Sequence, residues 1–309
     1  KISSTLRHTM ATVQSQTSVN LFRAAAIGVA QFHNDIVLCI STHLDSRSLV
    51  NLALTCSQFG GKSRNGDGGE NKWSLMEEAA RRIINKMGTD VEKKTLPRYE
   101  DESWMLVYAE LEALRSALTF DQLVGNGLGY TNSGSKSCVK GCITRYAATA
   151  ICNNTMRAGK HYTTFTNSGT GDISLGIIRP VKDWDKKCLL DFDPLEDIIH
   201  WGELNATRTE QWQNGNVNCC MIFNYTGICE WSSWQTTPIM IDWQGRQGFQ
   251  ENDVIGLLLD LDEGILVVYK NNQRLGVLID GLCGEYCWAA KYGQGRRIVS
   301  IERGVQPER

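Results

Sequence analysis

Residues 253–279 read DVIGLLLDLDEGILVVYKNNQRLGVLI, and no other stretch restricts the fold of this chain as tightly. Residues 254–261 form an almost uninterrupted apolar run and residues 265–269 a β-branched and aromatic one, so both predict strands. Asp262, Glu263 and Gly264 lie between them, and glycine, lacking a Cβ, accepts the positive φ of a tight reversal, which predicts a hairpin. A second reversal follows at Asn271-Asn272, because asparagine tolerates the left-handed region. Leu275, Val277 and Ile279 then alternate with Gly276 and Leu278, completing three consecutive antiparallel strands.

With 309 residues the chain exceeds the usual size of one domain, so two units are expected. A content of 42% apolar and 21% charged residues is that of an ordinary soluble globular protein. The net charge of −2 favours neither nucleic acid nor an anionic membrane, and no stretch approaches the ~20 apolar residues needed to span a bilayer. No nucleic-acid or membrane partner is expected. The 11 cysteines are odd in number and scattered, and the adjacent pair Cys219-Cys220 cannot form an ordinary framework bridge. They predict a reducing compartment, cytoplasm or nucleus, with thiols serving as small buried hydrophobes. Three sequons, at Asn153, Asn205 and Asn224, are read as chance matches. The sequence opens on Lys1, as expected of a fragment, a processed chain or an incomplete gene model, and residues 1–31 are read as a flexible leader. That leader has no acidic residue and carries Arg7 and Arg23, so organellar targeting stays open.

The first third is helical in pattern. Ile36, Val37, Ile40 and Leu44 recur at helical spacing, residues 45–48 form a turn with capping residues, and Leu49, Leu52, Ala53 and Cys56 mark the next helix. Residues 60–69 hold Gly, Ser, Lys, Arg, Asn and Asp alone and predict a linker. Residues 73–87 predict a helix stopped by Gly88. Residues 89–102 are polar, contain Pro97 and predict a loop. Trp104, Val107, Leu111, Leu114 and Leu118 form one stripe of a further helix capped by Ser103.

Two resemblances follow from these residues. The helical pair at residues 32–60 resembles an F-box through Ile36, Ile40, Leu44, Leu49, Leu52 and Phe59, with Phe32-His33 where that family opens on Leu-Pro. The resemblance implies docking on a Skp-family adaptor and, through it, on the cullin scaffold of a ubiquitin ligase. Residues 120–304 resemble a SPRY domain: MRAGKHY at 156–162, GIIRP at 176–180 and the hairpins from residue 253, with Leu275-Gly276 after the turn. This implies an α+β chain, an N-terminal helical module followed by an antiparallel, concanavalin-like β-sandwich. Residues 61–119 would supply linker and bridging helices, and residues 305–309 a tail. The SPRY resemblance further implies that loops of the sandwich hold a peptide or loop of a target protein. Tyr162, Trp184, Trp288, Lys291 and Tyr292 are the target-binding candidates, chosen by position. A SPRY scaffold without a ubiquitin role, and a lectin-like ligand-binding sandwich, are the alternatives.

No catalytic, cofactor or metal constellation is encoded. Cys138/Cys142 and Cys283/Cys287 lack the spacing and second pair of a zinc module, and the five histidines are isolated. Gly125, Gly127 and Gly129 predict a turn rather than a phosphate cradle, and Asp191, Asp193, Asp260 and Asp262 predict strand ends and solvated loops. Seven of the nine tryptophans fall in the β region; Trp243 and Trp288 read as core, whereas Trp184, Trp201 and the pair Trp231/Trp234 are candidates for recognition.

Overall fold

The structure is a computed structural model that describes residues 33–55, 57–61, 73–132, 135–143, 145–152 and 154–307. The leader, Phe32, Cys56, Asn153 and most of the 60–69 linker lie outside the described residues. Two compact units divide the chain, residues 1–93 with 98–113 and residues 94–97 with 114–309.

In the first unit, helices α1 (Asn34–Ser41), α2 (Ser46–Ala53) and α3 (Ser57–Gly60) each pack on α4 (Leu75–Met87). Asp45 caps α2 by accepting from the Ser48 amide at 2.7 Å, and Ser74 caps α4 by accepting from the Glu77 amide at 3.2 Å, each satisfying an amide that the first turn leaves free. Val37, Leu38, Leu49, Phe59, Met76, Ala79, Ala80 and Ile83 are buried, which is the stripe that the 3.6-residue period places on one side of each helix. The last helix, α6 (Trp104–Arg115), starts where Glu77 accepts from the Trp104 amide at 2.6 Å and from the Ser103 hydroxyl at 2.5 Å, so a carboxylate from α4 caps it as well as Ser103. Two expectations are corrected. Residues 89–102 are not all loop, because a short helix α5 (Asp90–Thr95) forms on a capping box in which Glu92 accepts from the Thr89 amide and the Thr89 hydroxyl accepts from the Glu92 amide. Gly88 ends α4 at φ −73°, so it is not the left-handed stop expected of it.

The second unit is an antiparallel β structure, so the chain as a whole is α+β. Two strands, β5 (Lys160–Ile178) and β12 (Cys287–Arg303), run beside each other along nearly their whole length. Each changes its outer neighbour midway. Around residues 173–178 and 287–292 the order is β1 (Phe120–Val124), β4 (Ala148–Cys152), β12, β5, β6 (Cys219–Phe223), β7 (Cys229–Ser232) and β8 (Ile239–Ile241). Around residues 160–166 and 295–303 it is β2 (Leu128–Asn132), β3 (Ser135–Ile143), β12, β5, β9 (Val254–Asp260), β10 (Ile265–Lys270) and β11 (Gln273–Ile279).

The long pair bends where its glycines sit. Gly169, Gly171 and Gly295 have φ of 89°, 127° and 124°, the β12 register slips between Tyr292 and Gly295, and a Cβ on Gly171 would lie 2.3 Å from the Gln294 carbonyl oxygen. The bend folds the two halves face to face. Phe165 and Trp288 stand 12 ladder positions apart, since Trp288 pairs with Ile177, which would be ~40 Å along a straight strand. Their rings are nevertheless 6.5 Å apart in an edge-to-face contact. Between the halves lies one core that includes Leu175, Ile177, Leu257, Leu259, Leu266, Val268, Tyr292, Val299 and Ile301. Both expected reversals are present: Gly264 has φ 68°, and Asn271 and Asn272, at 51° and 67°, close the two-residue turn that opens β11.

A long connection, residues 179–218, covers the outer face of the first sheet and carries the helix α7 (Ile198–Ala206). It is tied down by Arg179, fully buried, whose guanidinium lies 4.1 Å from the Tyr286 ring and 5.6 Å from the Trp212 ring and donates to the carbonyls of Cys283 and Glu285. Trp184, Trp201, Trp212 and Trp234 all pack into this cover. They are therefore a second core, which corrects the recognition roles considered for Trp184, Trp201 and Trp234; Trp231 packs against the first core. The cysteines divide likewise: Cys152, Cys219, Cys220, Cys229 and Cys287 are buried as expected, whereas Cys39, Cys142 and Cys188 are exposed. Of the sequon residues, Asn224 is buried, its side chain bonded to the Ile173 amide and the Gly171 carbonyl, so no glycan can attach there in the folded chain.

Trp288→Ala is expected to cost about 3–5 kcal/mol, measured by urea denaturation, because it empties the contact across the fold. A second expectation concerns acid. His161 is buried at the start of β5 with Nε2 2.9 Å from the Ala158 carbonyl oxygen, and burial lowers its pKa to about 4. In the unfolded chain the imidazole protonates near its ordinary value of about 6.5, while in the fold it stays neutral to about pH 4. Stability present above pH ~6.5 is thus lost as the pH falls toward 4, by roughly 3 kcal/mol in all. His161→Gln should flatten this part of the pH–stability curve.

Candidate functional site

In an antiparallel sheet, residues directly opposite one another share a face, and the face alternates along each strand. Lys291 on β12 stands opposite Thr149 on β4 and Ser174 on β5, and Ser174 stands opposite Phe223 on β6. This row lies on the outer face of the first sheet, beside the bend. There Arg145, Tyr146, Asp172, Asp193, Gly293 and Gln294, together with Ser174 and Lys291, line an open depression of about 400 Å³.

The covering connection reaches the depression through residues 191–193, which are stitched to the chain before β4. The Ala147 amide donates to Asp191 at 2.8 Å, the Phe192 amide to the Ala147 carbonyl at 3.0 Å, and the Thr149 hydroxyl to the Phe192 carbonyl at 3.1 Å. Asp193 is oriented in turn. Its Oδ1 accepts from the amides of Leu195 and Glu196, which leaves Oδ2 to accept from Lys291 Nζ at 3.0 Å. Glu230 on β7 holds its Oε2 4.0 Å from the same ammonium, an ion pair without a hydrogen bond.

Burial by itself would lower the pKa of Lys291; Asp193 and Glu230 outweigh it and hold the ammonium above its ordinary value. For Glu230 burial dominates: despite Lys291, its carboxyl is pushed up, with Glu196 and Asp193 adding repulsion. Asp193 is accordingly the counter-ion, and its place against a nearly buried lysine corrects its reading as a solvated loop residue. Two features distinguish the depression. Ser174 is 1% exposed and its hydroxyl has no hydrogen-bond partner among the described residues. At the rim, Tyr146 is 47% exposed with the Arg145 guanidinium 5.6 Å from its ring. Sequence reasoning missed Ser174, Asp193, Arg145 and Tyr146; only the apposition of four separate segments brings them together.

The five sandwich candidates do not converge. Lys291 lines the depression, but its neighbours in sequence Tyr292 and Trp288 have the opposite parity and fill the core at 1% exposure, and Trp184 is equally buried under the cover. Tyr162 lies on the outer face of the other sheet, edge-on to Tyr269 at 5.5 Å. Trp184, Trp288 and Tyr292 are thus corrected as target contacts: their rings pack into the two cores, and none of the three lines the depression. The helical candidates also divide. Ile36 and Ile40, one turn apart on α1, are 47% and 46% exposed, Leu44 and Leu52 are half-buried, and Leu49 and Phe59 are fully buried, which corrects the last two as adaptor contacts. Among the described residues no group of three His, Cys, Asp or Glu side chains could hold a metal ion, and no helix is long and apolar enough to cross a membrane.

No family model matches the chain, and no curated protein matches it. Among solved structures it is similar to the SPRY domain of human HERC1, with a TM-score of 0.40 and 12% identity over 59% of this chain and 97% of that one. It is similar also to the PSpry domain of TRIM65, with a TM-score of 0.38 and 14% identity over 60% and 92% of the two chains. A third is the carbohydrate-binding module CBM66 from Bacillus subtilis, with a TM-score of 0.38 and 10% identity over 60% and 96%. These likenesses carry no residue roles over to this chain.

Replacing Lys291 by Met strands Asp193 and is expected to cost about 3 kcal/mol in urea denaturation. Glu230→Gln should behave oppositely. A carboxyl whose pKa is raised by folding favours the fold while protonated, a contribution present below its unfolded pKa and lost as the pH rises through the folded one. The Gln variant should therefore be more stable than the parent at pH 7, with the difference vanishing as the pH falls below the ordinary Glu range of about 4.3.

Proposed function

We propose that the protein is a non-enzymatic interaction adaptor whose β-sandwich holds a segment of a target protein in the depression around Lys291. The observation that carries this reading is the unpartnered, buried Ser174 hydroxyl in an open polar depression rimmed by Tyr146 and Arg145. Its floor is sheet, so the polar groups are held before any ligand arrives and little ordering entropy is lost on binding. The resemblance of residues 120–304 to SPRY domains supports a protein as the ligand. The finer part of the proposal gives the helical unit the role of docking a Skp-family adaptor and, through it, a cullin scaffold, which would make the chain a substrate receptor of a ubiquitin ligase. Ile36 and Ile40 support this, since two isoleucines one turn apart and half exposed make a short apolar stripe suited to a partner groove.

Two experiments on the whole chain test the two halves. A displayed random-peptide library panned against the protein should return sequences that it binds and that an Arg145→Glu, Tyr146→Ala double variant does not; binders indifferent to that variant would refute the site. A purified Skp-family adaptor should be retained by the parent chain and lost with Ile36→Asp, Ile40→Asp. Failure of the folded parent to retain it would leave the sandwich as an interaction scaffold without a ubiquitin role.

A further inference from the structure

The chemistry of the lining decides what kind of group the depression can accept, given the reading that this depression is the binding site. Two cations, Arg145 and Lys291, and two anions, Asp172 and Asp193, line it, so its formal charge cancels. The donors and acceptors are not equally occupied. Lys291 directs one of its three N–H groups to Asp193, and the next carboxylate oxygen, on Glu230, is 4.0 Å away, beyond hydrogen-bond reach. The Ser174 hydroxyl beside it on the ladder has no partner among the described residues. Asp172 makes no side-chain hydrogen bond or ion pair among the described residues, and Gly293 runs so close that a Cβ there would lie 2.7 Å from the Asp172 Cβ. The depression therefore offers free donors from Lys291 and Ser174 and a free acceptor from Asp172.

A ligand carboxylate would meet the donors but sit beside Asp172 and Asp193, and a ligand ammonium would meet Asp172 but sit beside Lys291 and Arg145. Either brings a net charge into a partly desolvated site whose own charges already balance, and such a charge is costly unless paired. An amide needs no such pairing. Its carbonyl oxygen accepts from Lys291 Nζ and Ser174 Oγ while its N–H donates to Asp172, which gives each of the three residues a partner at once.

We propose that the Lys291 depression selects an uncharged amide of the target segment over an acidic or basic side chain of similar size. That amide is either a glutamine or asparagine carboxamide or a main-chain peptide group. The missing hydrogen bond at Ser174 is the position that the carbonyl fills.

The test is a titration of the isotopically labelled whole chain, followed by the backbone amide signals of Ser174, Lys291 and Gly293. Four probes are used: the N-acetyl, N′-methylamide derivatives of glutamine, glutamate, lysine and alanine, each up to about 50 mM, well above the millimolar Kd that a single anchoring group supports. The glutamine probe is expected to shift these signals with a Kd roughly tenfold below those of the glutamate and lysine probes. All four probes carry main-chain amides, so a main-chain source gives the four closely similar Kd values, whereas a carboxamide source sets the glutamine probe apart from the other three. Tighter binding of the glutamate or lysine probe than of both the glutamine and the alanine probe, or no shift at these signals with any probe, overturns the proposal. Peptides selected from the library in an Arg145- and Tyr146-dependent way would still uphold the broader reading, so the two fail separately. Ser174→Ala should weaken the glutamine probe several-fold while leaving the melting temperature unchanged or higher, because the hydroxyl it removes has no hydrogen-bond partner among the described residues. A drop in melting temperature with unchanged probe binding would count against the proposal.

Discussion

The bend in the paired strands β5 and β12 is the constraint on which the β unit depends. Both strands continue through it, so each contributes to two sheets, and the core exists only because the turn at Gly169, Gly171 and Gly295 brings the sheets face to face. A side chain at Gly171 or Gly295 would strike backbone of the other strand at 2.3 or 2.5 Å, so the bend requires glycine at these positions for space as well as for positive φ. The edge-to-face contact of Phe165 with Trp288 registers the closure.

The same bend makes the site. Beside it the covering connection stops, and the outer row of the first sheet, with Lys291 and Ser174 in it, lines the depression. Asp193 reaches that row because residues 191–193 are hydrogen-bonded to the chain entering β4 and because the Trp234 indole donates to the Pro194 carbonyl at 2.8 Å. A buried lysine is tolerable only with a counter-ion of this kind, and Asp193 is held by two backbone amides before it meets the ammonium. The arrangement leaves Lys291 charged, Glu230 partly starved of solvent and the Ser174 hydroxyl without a hydrogen-bond partner among the described residues.

Several of these elements were legible beforehand. The two hairpins at residues 260–279 followed from apolar runs broken by Gly264 and Asn271-Asn272, and the Asp45 cap, the α4 helix and the core positions of Trp243 and Trp288 followed from spacing. The α5 helix was legible too, in the Thr89–Glu92 capping pattern, but the polar composition and Pro97 masked it. The tryptophans misled for a different reason. A polar connection rich in tryptophan reads as a recognition surface, yet these rings are the apolar underside of a segment laid over a sheet whose outer face is also apolar. Position in sequence likewise grouped Trp288, Lys291 and Tyr292, although the two-residue period of a strand sends the lysine to one face and the aromatics to the other.

By itself the sequence determined what is local: which segments are helices or strands, where the chain reverses, and that an antiparallel sheet follows a helical module. These follow from side-chain period, capping and the backbone freedom of single residues, which act over a few positions. The tertiary structure alone decided which polar groups share a site. Arg145, Ser174, Asp193 and Lys291 meet because four segments distant in the chain cross at one bend, and the cost of burying an ammonium without a carboxylate, or a hydroxyl without a partner, is set by that crossing and by no residue alone.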